Sequence, residues 1–432
     1  MPPRILAVLD TYPALSETFL YTALENLQAA GFEISIRARR KGYASHGRSR
    51  VASSLRGRSS RRSNPIANAR NDESTGLPAL KCDLFNVRYL PSESLPFLLK
   101  AIFVCWYALR LLLTAPKKFL HAARLMKTQV PDLRQRALIA FRILPLLCEN
   151  VDAIYLPFGG LAVKYLELIQ IHSRVFFSLR GSDINIEPLL SETYATRLKD
   201  AMRAARRVHC VCEDIKRKAA AMSGVDAQKF DVIYTALNPL FLESAPIRDS
   251  SAGRVRIVTT GRLDWRKGLE HGLMAIRALA RRGIPCEWNI LGEGPHRLAL
   301  EWGIRDMGLG ETVCLRGGKS QEDVREILSQ SDIFFLPSVH EGISNAALEA
   351  MAWGLPVVVG DVGGMSEAIS NEETGILVPP RDWKGMADAL ERLAKDENLR
   401  RQMGARAREL VRQRFTLEKQ RSGFVEFFGG IQ

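Results

Sequence analysis

The chain has 432 residues, 46% hydrophobic and 25% charged, an ordinary balance for a globular protein with enough length for two or three cores. Its formal charge of +14 is concentrated in one place: Arg37 to Arg70 holds eleven Lys or Arg and no Asp or Glu, which excludes a chain-wide basic character. The seven cysteines show no paired metal spacing, so free thiols of a reducing compartment are expected.

In chain order, Arg4 to Leu9 predicts a buried strand, Thr18 to Ala30 an amphipathic helix capped by Gly31, and Phe32 to Arg37 a second strand. The opening, Met1 to Asp10, is too short and strand-like for a signal peptide, and a cytoplasmic location is the expectation. Residues 38–75, rich in Ser, Arg, Asn and Gly, have no hydrophobic period and read as a basic loop. Helical patterns fill Leu95 to Cys148. Within them Pro96 to Leu113 is strongly apolar but interrupted by Lys100 and Arg110. A spanning helix needs about 20 apolar residues, so this segment reads as a core or interfacial helix.

Strands are predicted at Ala153 to Leu156, Arg174 to Leu179, Val208 to Val211 and Lys229 to Ile233. A polar stretch, Asn238 to Gly253, precedes a second series at Val255 to Thr260, Cys286 to Leu291, Val313 to Leu315, Ile333 to Leu336, Pro356 to Val359 and Gly375 to Val378. Repeated βαβ units imply parallel sheets with ligands bound outside the carboxyl ends of their strands. The reading is two doubly wound α/β domains, 1–240 and 241–411, with a helix in 412–432 packing back on the first.

The stretch His340 to Val359 places Glu341 before, and Glu349 inside, a helix starting near Ser344. Between them the N–H groups of Gly342, Ile343 and Ser344 form an anion site, because the first N–H groups of a helix lack partners. A ligand with phosphate in the middle and hydroxyls at both ends fits, which is the layout of a nucleotide sugar. Gly261-Arg262-Leu263-Asp264-Trp265-Arg266-Lys267-Gly268 follows the first strand of the second series, and Arg262 and Lys267 suit a diphosphate. The bland alternative is a solvated basic turn. No nucleophile elbow, metal-spaced cluster, Walker A loop or dinucleotide fingerprint is present.

These residues resemble the retaining glycosyltransferases of family 4, of GT-B fold: two Rossmann-like domains facing across a cleft. The resemblance rests on Gly261-Arg262-Leu263, Lys267-Gly268, Leu291-Gly292-Glu293-Gly294-Pro295, Glu341-x7-Glu349, Gly354-Leu355-Pro356, Gly363-Gly364 with Glu367, and Thr374-Gly375-Ile376. It implies that Arg262 and Lys267 hold the donor diphosphate, Glu341 contacts the transferred sugar, Glu349 holds the ribose, and Gly342, Ile343 and Ser344 supply backbone donors. Such cations make a metal unnecessary, and no cofactor is expected beyond a UDP- or GDP-linked donor. Ser16, Glu17 and Thr18 resemble the Ser-Glu-Thr-Phe variant of bacterial polysaccharide-assembly members; capping the following helix is the plain alternative. Arg180-Gly181-Ser182-Asp183 stands where many members have His-Gly-x-Asp. Arg180 there suits a donor charge, an anionic acceptor or a salt bridge, and Asp183 is the candidate for contacting acceptor or sugar.

Three readings stand for Arg37 to Arg70. They are a solvated loop, attraction to an anionic leaflet at about 1 kcal/mol per basic residue, or nucleic-acid binding, which its single aromatic, Tyr43, disfavours. The expectation is a hexosyltransferase of cell-surface polysaccharide biosynthesis, acting on a glycan or lipid-linked acceptor. It would sit in the cytoplasm with peripheral contact to the inner face of an anionic membrane, with no nucleic-acid partner. A nucleotide-sugar epimerase or phosphorylase, and a non-catalytic binding protein on the same fold, remain the alternatives.

Overall fold

Apolar runs that are buried on both sides, such as Ile5–Leu9, Ile333–Leu336 and Val357–Val359, suit parallel strands covered by helices on both faces. The computed structural model describes residues 2–12, 18–41, 85–242 and 253–431, and these runs are central strands of two sheets. The first sheet comprises β1 (Arg4–Tyr12), β2 (Glu33–Lys41), β3 (Asn86–Tyr89), β4 (Ala153–Leu156), β5 (Val175–Leu179), β6 (Arg207–Cys210) and β7 (Phe230–Val232). The second comprises β8 (Val255–Thr260), β9 (Cys286–Leu291), β10 (Val313–Gly317), β11 (Ile333–Leu336), β12 (Val357–Gly360) and β13 (Gly375–Val378).

The strand orders are β3-β2-β1-β4-β5-β6-β7 and β10-β9-β8-β11-β12-β13, with every pairing parallel. Order reverses between β1 and β4 and between β8 and β11, which opens a crevice at the carboxyl end of each sheet. Each sheet carries one apolar cluster per face.

Three elements differ from the sequence pattern. β2 runs on to Lys41, four residues into the segment that reads as loop, because Arg37 and Arg39 are core residues with partners. Arg37 Nε donates to Glu149 at 2.7 Å, and Arg39 Nε donates to the Tyr165 hydroxyl at 2.7 Å. The rest of that loop lies outside the described residues, as do Ser16 and Glu17. The short edge strand β3 has no alternating pattern to announce it. The apolar helix Phe97–Thr114 buries only Leu111, so it is not a core helix.

The chain crosses between domains twice, near residues 234–242 and again at 415–417, and the crossings touch where Leu237 N donates to Phe415 O at 2.9 Å. The last helix, Leu417–Phe427, sets Phe424, Phe427 and Phe428 on the first sheet. Phe427 meets Phe176 with ring centroids 5.2 Å apart, and Phe428 meets Tyr155 at 5.5 Å. Beneath these rings lies a buried polar chain. His209 Nε2 bonds Ile233 O at 2.9 Å, Ser178 Oγ bonds His209 Nδ1 at 2.7 Å, and Tyr155 Oη bonds Ser178 Oγ at 2.5 Å.

Since a carbonyl only accepts, His209 Nε2 carries the proton, Nδ1 accepts from Ser178, and Ser178 accepts from Tyr155. Burial pushes the His209 pKa down to about 3, so the ring is neutral and structural. Ser178→Ala breaks the chain in the middle and leaves two buried groups unpaired. Urea unfolding at neutral pH should show a loss of about 1–3 kcal/mol.

Candidate functional site

The loops that leave β4, β5, β8 and β11 meet across the gap between the sheets and enclose a cleft of about 570 Å³. From the first domain it is lined by Phe158, Arg180, Asp183, Asn185, Glu187 and Tyr194, and from the second by Arg262, Arg266, Lys267, His340, Glu341 and Gly342. Six residues singled out in the sequence, Arg180, Asp183, Arg262, Lys267, Glu341 and Gly342, therefore share one cavity. They come from strand ends more than 150 positions apart at the extremes.

On the second-domain wall, Asp264 caps a short turn and holds Arg266, whose carbonyl accepts from Val339 N at 2.8 Å. That bond ties the turn after β8 to the loop after β11 and brings Lys267 Nζ to 2.5 Å from Glu341 Oε1. Ser338 Oγ donates to the same oxygen at 2.8 Å. Among the described residues the Arg262 guanidinium, exposed to the cleft, has no acidic partner. This wall thus presents an unneutralised cation beside a lysine–glutamate pair. A ligand phosphate would draw both cations, and a ligand hydroxyl would satisfy the carboxylate.

The first-domain wall is built by its backbone. Asp183, buried, accepts from Gly159 N (3.0 Å), Gly181 N (2.9 Å) and Arg180 N (3.0 and 3.1 Å). Both its oxygens are engaged, so it shapes the turn after β5 and sets the position of Arg180 and Gly181. Arg180 donates from Nε to Pro157 O at 2.9 Å and lies over the Phe158 ring, 5.6 Å from its centre.

Tyr194 was not legible as a site residue in the sequence. Its hydroxyl is buried, lines the cleft and has no hydrogen-bond partner among the described residues; burial is the main cause that raises its pKa. The position within the helix Glu192–Ala204, three elements after β5, carried no motif; only its place after a strand's carboxyl end hinted at the cleft.

Two contacts hold the walls together. Gly342 packs so closely on the first domain that an added Cβ would lie 2.5 Å from Arg180 O. Glu367, just beyond the Gly363-Gly364 turn, accepts from the N–H groups of Glu213 (2.8 Å) and Asp214 (2.9 Å) and from the Tyr234 hydroxyl (3.1 Å). A second-domain carboxylate thus caps the first-domain helix Glu213–Ser223.

Ile343, Ser344 and Glu349 do not line the cavity. Ile343 packs into apolar clusters of both domains, and Ser344 Oγ accepts from Ala347 N at 3.4 Å, capping the helix Asn345–Ala352. Thr18 begins the first helix. Glu349 lies inside the helix Asn345–Ala352 with no hydrogen-bond or ion-pair partner among the described residues, and burial pushes its pKa up to about 8. No group of three His, Cys, Asp or Glu side chains among the described residues is arranged to hold a metal.

Two doubly wound domains facing across a cleft in this way define the GT-B fold, and the chain has it. Residues 244–410 match the family Glycosyl transferases group 1. Over 161 residues the chain is 37% identical to an alpha-D-kanosaminyltransferase of Streptomyces kanamyceticus, covering 37% of this chain and 42% of that protein. Over 247 residues it is 32% identical to the amylovoran biosynthesis glycosyltransferase AmsK of Erwinia amylovora, covering 55% and 60%. The matches thus span about half the length of these relatives. Among solved structures, sucrose-phosphate synthase from Thermosynechococcus elongatus superposes with a TM-score of 0.69 at 17% identity, over 99% of this chain and 98% of that one. Anabaena Alr3699/HepE in complex with UDP gives 0.66 at 15%, over 98% and 99%.

The raised pKa of Glu349 has a measurable consequence. The folded state holds a proton that the unfolded chain releases near pH 4.5, so between pH 4.5 and 8 this residue lowers stability as pH rises. Glu349→Gln removes that term. Thermal melts should show the variant losing less Tm than the wild type between pH 5 and pH 8, and equal losses would contradict a Glu349 that is protonated in the folded state.

Proposed function

We propose that this protein is a retaining, metal-independent glycosyltransferase of family 4. In this reading it moves a hexose from a UDP- or GDP-linked sugar to a glycan or lipid-linked acceptor in cell-surface polysaccharide biosynthesis. One observation carries the reading: Arg262 and the Lys267–Glu341 pair converge on the cleft at the carboxyl end of the second sheet, opposite Arg180. The named activities of the kanosaminyltransferase and AmsK, and the UDP held by Anabaena HepE, support a nucleotide-sugar donor and a polysaccharide context.

In the proposed reaction, the bond between the anomeric carbon and the diphosphate oxygen breaks as the acceptor hydroxyl oxygen bonds that carbon. The acceptor proton passes to the departing phosphate, which leaves from the same face. Negative charge grows on the leaving diphosphate, where Arg262 and Lys267 stand ready in a partly dehydrated cleft. Glu341, released from part of its hold on Lys267, accepts from a hydroxyl of the transferred sugar. In this reading the donor extends past the lining of the cavity along the helix Asn345–Ala352, where its phosphate meets the helix start and its ribose hydroxyls donate to Glu349. Asp183 fixes the loop that presents Arg180, and the unpartnered Tyr194 hydroxyl is placed to meet an acceptor hydroxyl.

Lys267→Ala and Glu341→Ala should each lower kcat/KM by about 10²–10³ in an assay of nucleoside diphosphate release, with circular dichroism unchanged. Full activity in either variant would remove the site assignment. Interconversion of the free nucleotide sugar without diphosphate release would point to an epimerase. Treatment with EDTA should leave the rate within about twofold, because the cations already stabilise the leaving group; complete loss would overturn metal independence.

A further inference from the structure

The helix Phe97–Thr114 is apolar on two opposite faces, which a helix at the surface of a globular domain should not be. Val104, Tyr107, Ala108 and Leu111 fall on one stripe and pack into the first-domain core. At the complementary spacing, Leu98, Ile102, Trp106, Leu109 and Leu113 are each more than half exposed. The exposed stripe follows the helix for its whole length, about 27 Å at 1.5 Å per residue. Among the described residues it is the one helix long and apolar enough, by length and composition, to cross a membrane. Its inner stripe and its packing against the helices Pro116–Gln129 and Leu133–Leu147 hold it flat on the domain instead.

Charge selects what covers this stripe. Between Glu93 and Asp132 the chain has no acidic residue. It has Lys100 and Arg110 on the helix, and the next helix exposes Lys117, Lys118, Arg124 and Lys127. The Arg110 guanidinium lies over the exposed Trp106 ring, 5.6 Å from its centre, the pairing of cation and amphipathic ring that suits the headgroup level of a bilayer. A second copy of the chain is a poor occupant, because a two-fold contact through this patch sets like charges against each other.

We propose that the exposed stripe of helix Phe97–Thr114 is a docking surface for an anionic lipid bilayer. The helix lies in the plane of the interface, with its leucines and Trp106 among the upper acyl chains and the lysines and arginines at the headgroups. This holds whether or not the cleft transfers sugar, and its test reads binding alone.

The test is flotation of the purified full chain with vesicles of phosphatidylcholine, with and without phosphatidylglycerol. The chain should float with the anionic vesicles, less so at raised salt. The triple variant Leu98→Glu, Ile102→Glu, Trp106→Glu should lose about tenfold or more of its vesicle partitioning. Since all three side chains point outward, its Tm should stay near that of wild type. A control, Leu298→Glu with Trp302→Glu, alters exposed apolar residues elsewhere and should float as wild type does. Flotation unchanged in the triple variant would overturn the proposal, as would absence of flotation in the wild type. Sedimentation showing a wild-type dimer that the triple variant abolishes, without vesicle binding, would assign the stripe to self-association.

Discussion

The cleft exists because a carboxylate of one domain completes a helix of the other. Glu367 takes the N–H groups of Glu213 and Asp214, partners that the helix Glu213–Ser223 cannot find within itself. Gly342, lacking a side chain, lets the loop after β11 settle against Arg180 O, where any Cβ would force the sheets apart. Neither contact touches the middle of the cavity, yet both set its width.

Within that gap the two walls are built on different principles. The second-domain wall is ionic: Lys267 and Glu341 face each other at 2.5 Å, Ser338 supports the carboxylate, and Arg262 has no acidic partner among the described residues. The first-domain wall is a backbone scaffold, where Asp183 gathers the N–H groups of Gly159, Arg180 and Gly181. An ionic wall can trade partners when a charged ligand arrives, while a wall whose carboxylate is already engaged keeps its shape. The Arg180 guanidinium is anchored on Pro157 O and Phe158, beside the backbone turn that Asp183 holds.

Much of the architecture was legible in the chain. Buried parallel strands need continuous apolar runs, and those runs are visible as β1, β8, β11 and β12. Motifs at the strand ends pointed to Arg262, Lys267, Glu341 and Gly342 because a βα turn places its residues at the sheet's carboxyl edge. The limits were equally physical. Arg37 and Arg39 read as members of a solvated basic segment, since nothing local shows that Glu149 and Tyr165 wait 112 and 126 positions away. Glu341 and Glu349 read as two ends of one site by spacing; the structure sets Glu341 in the lining of the cavity and Glu349 beyond it, within the helix Asn345–Ala352.

What the sequence determined alone is what neighbours along the chain impose: hydrophobic period, strand-end glycines, cationic turns and the GT-B pattern they spell. The tertiary structure decided the matters that depend on groups far apart in sequence. It showed that Asp183 has both oxygens engaged and that, among the described residues, Tyr194 brings an unpartnered hydroxyl to the cleft and an apolar stripe of the helix Phe97–Thr114 is left bare. Periodicity reports which residues share a face of an element. Only packing reveals whether that face meets a core, a ligand or nothing.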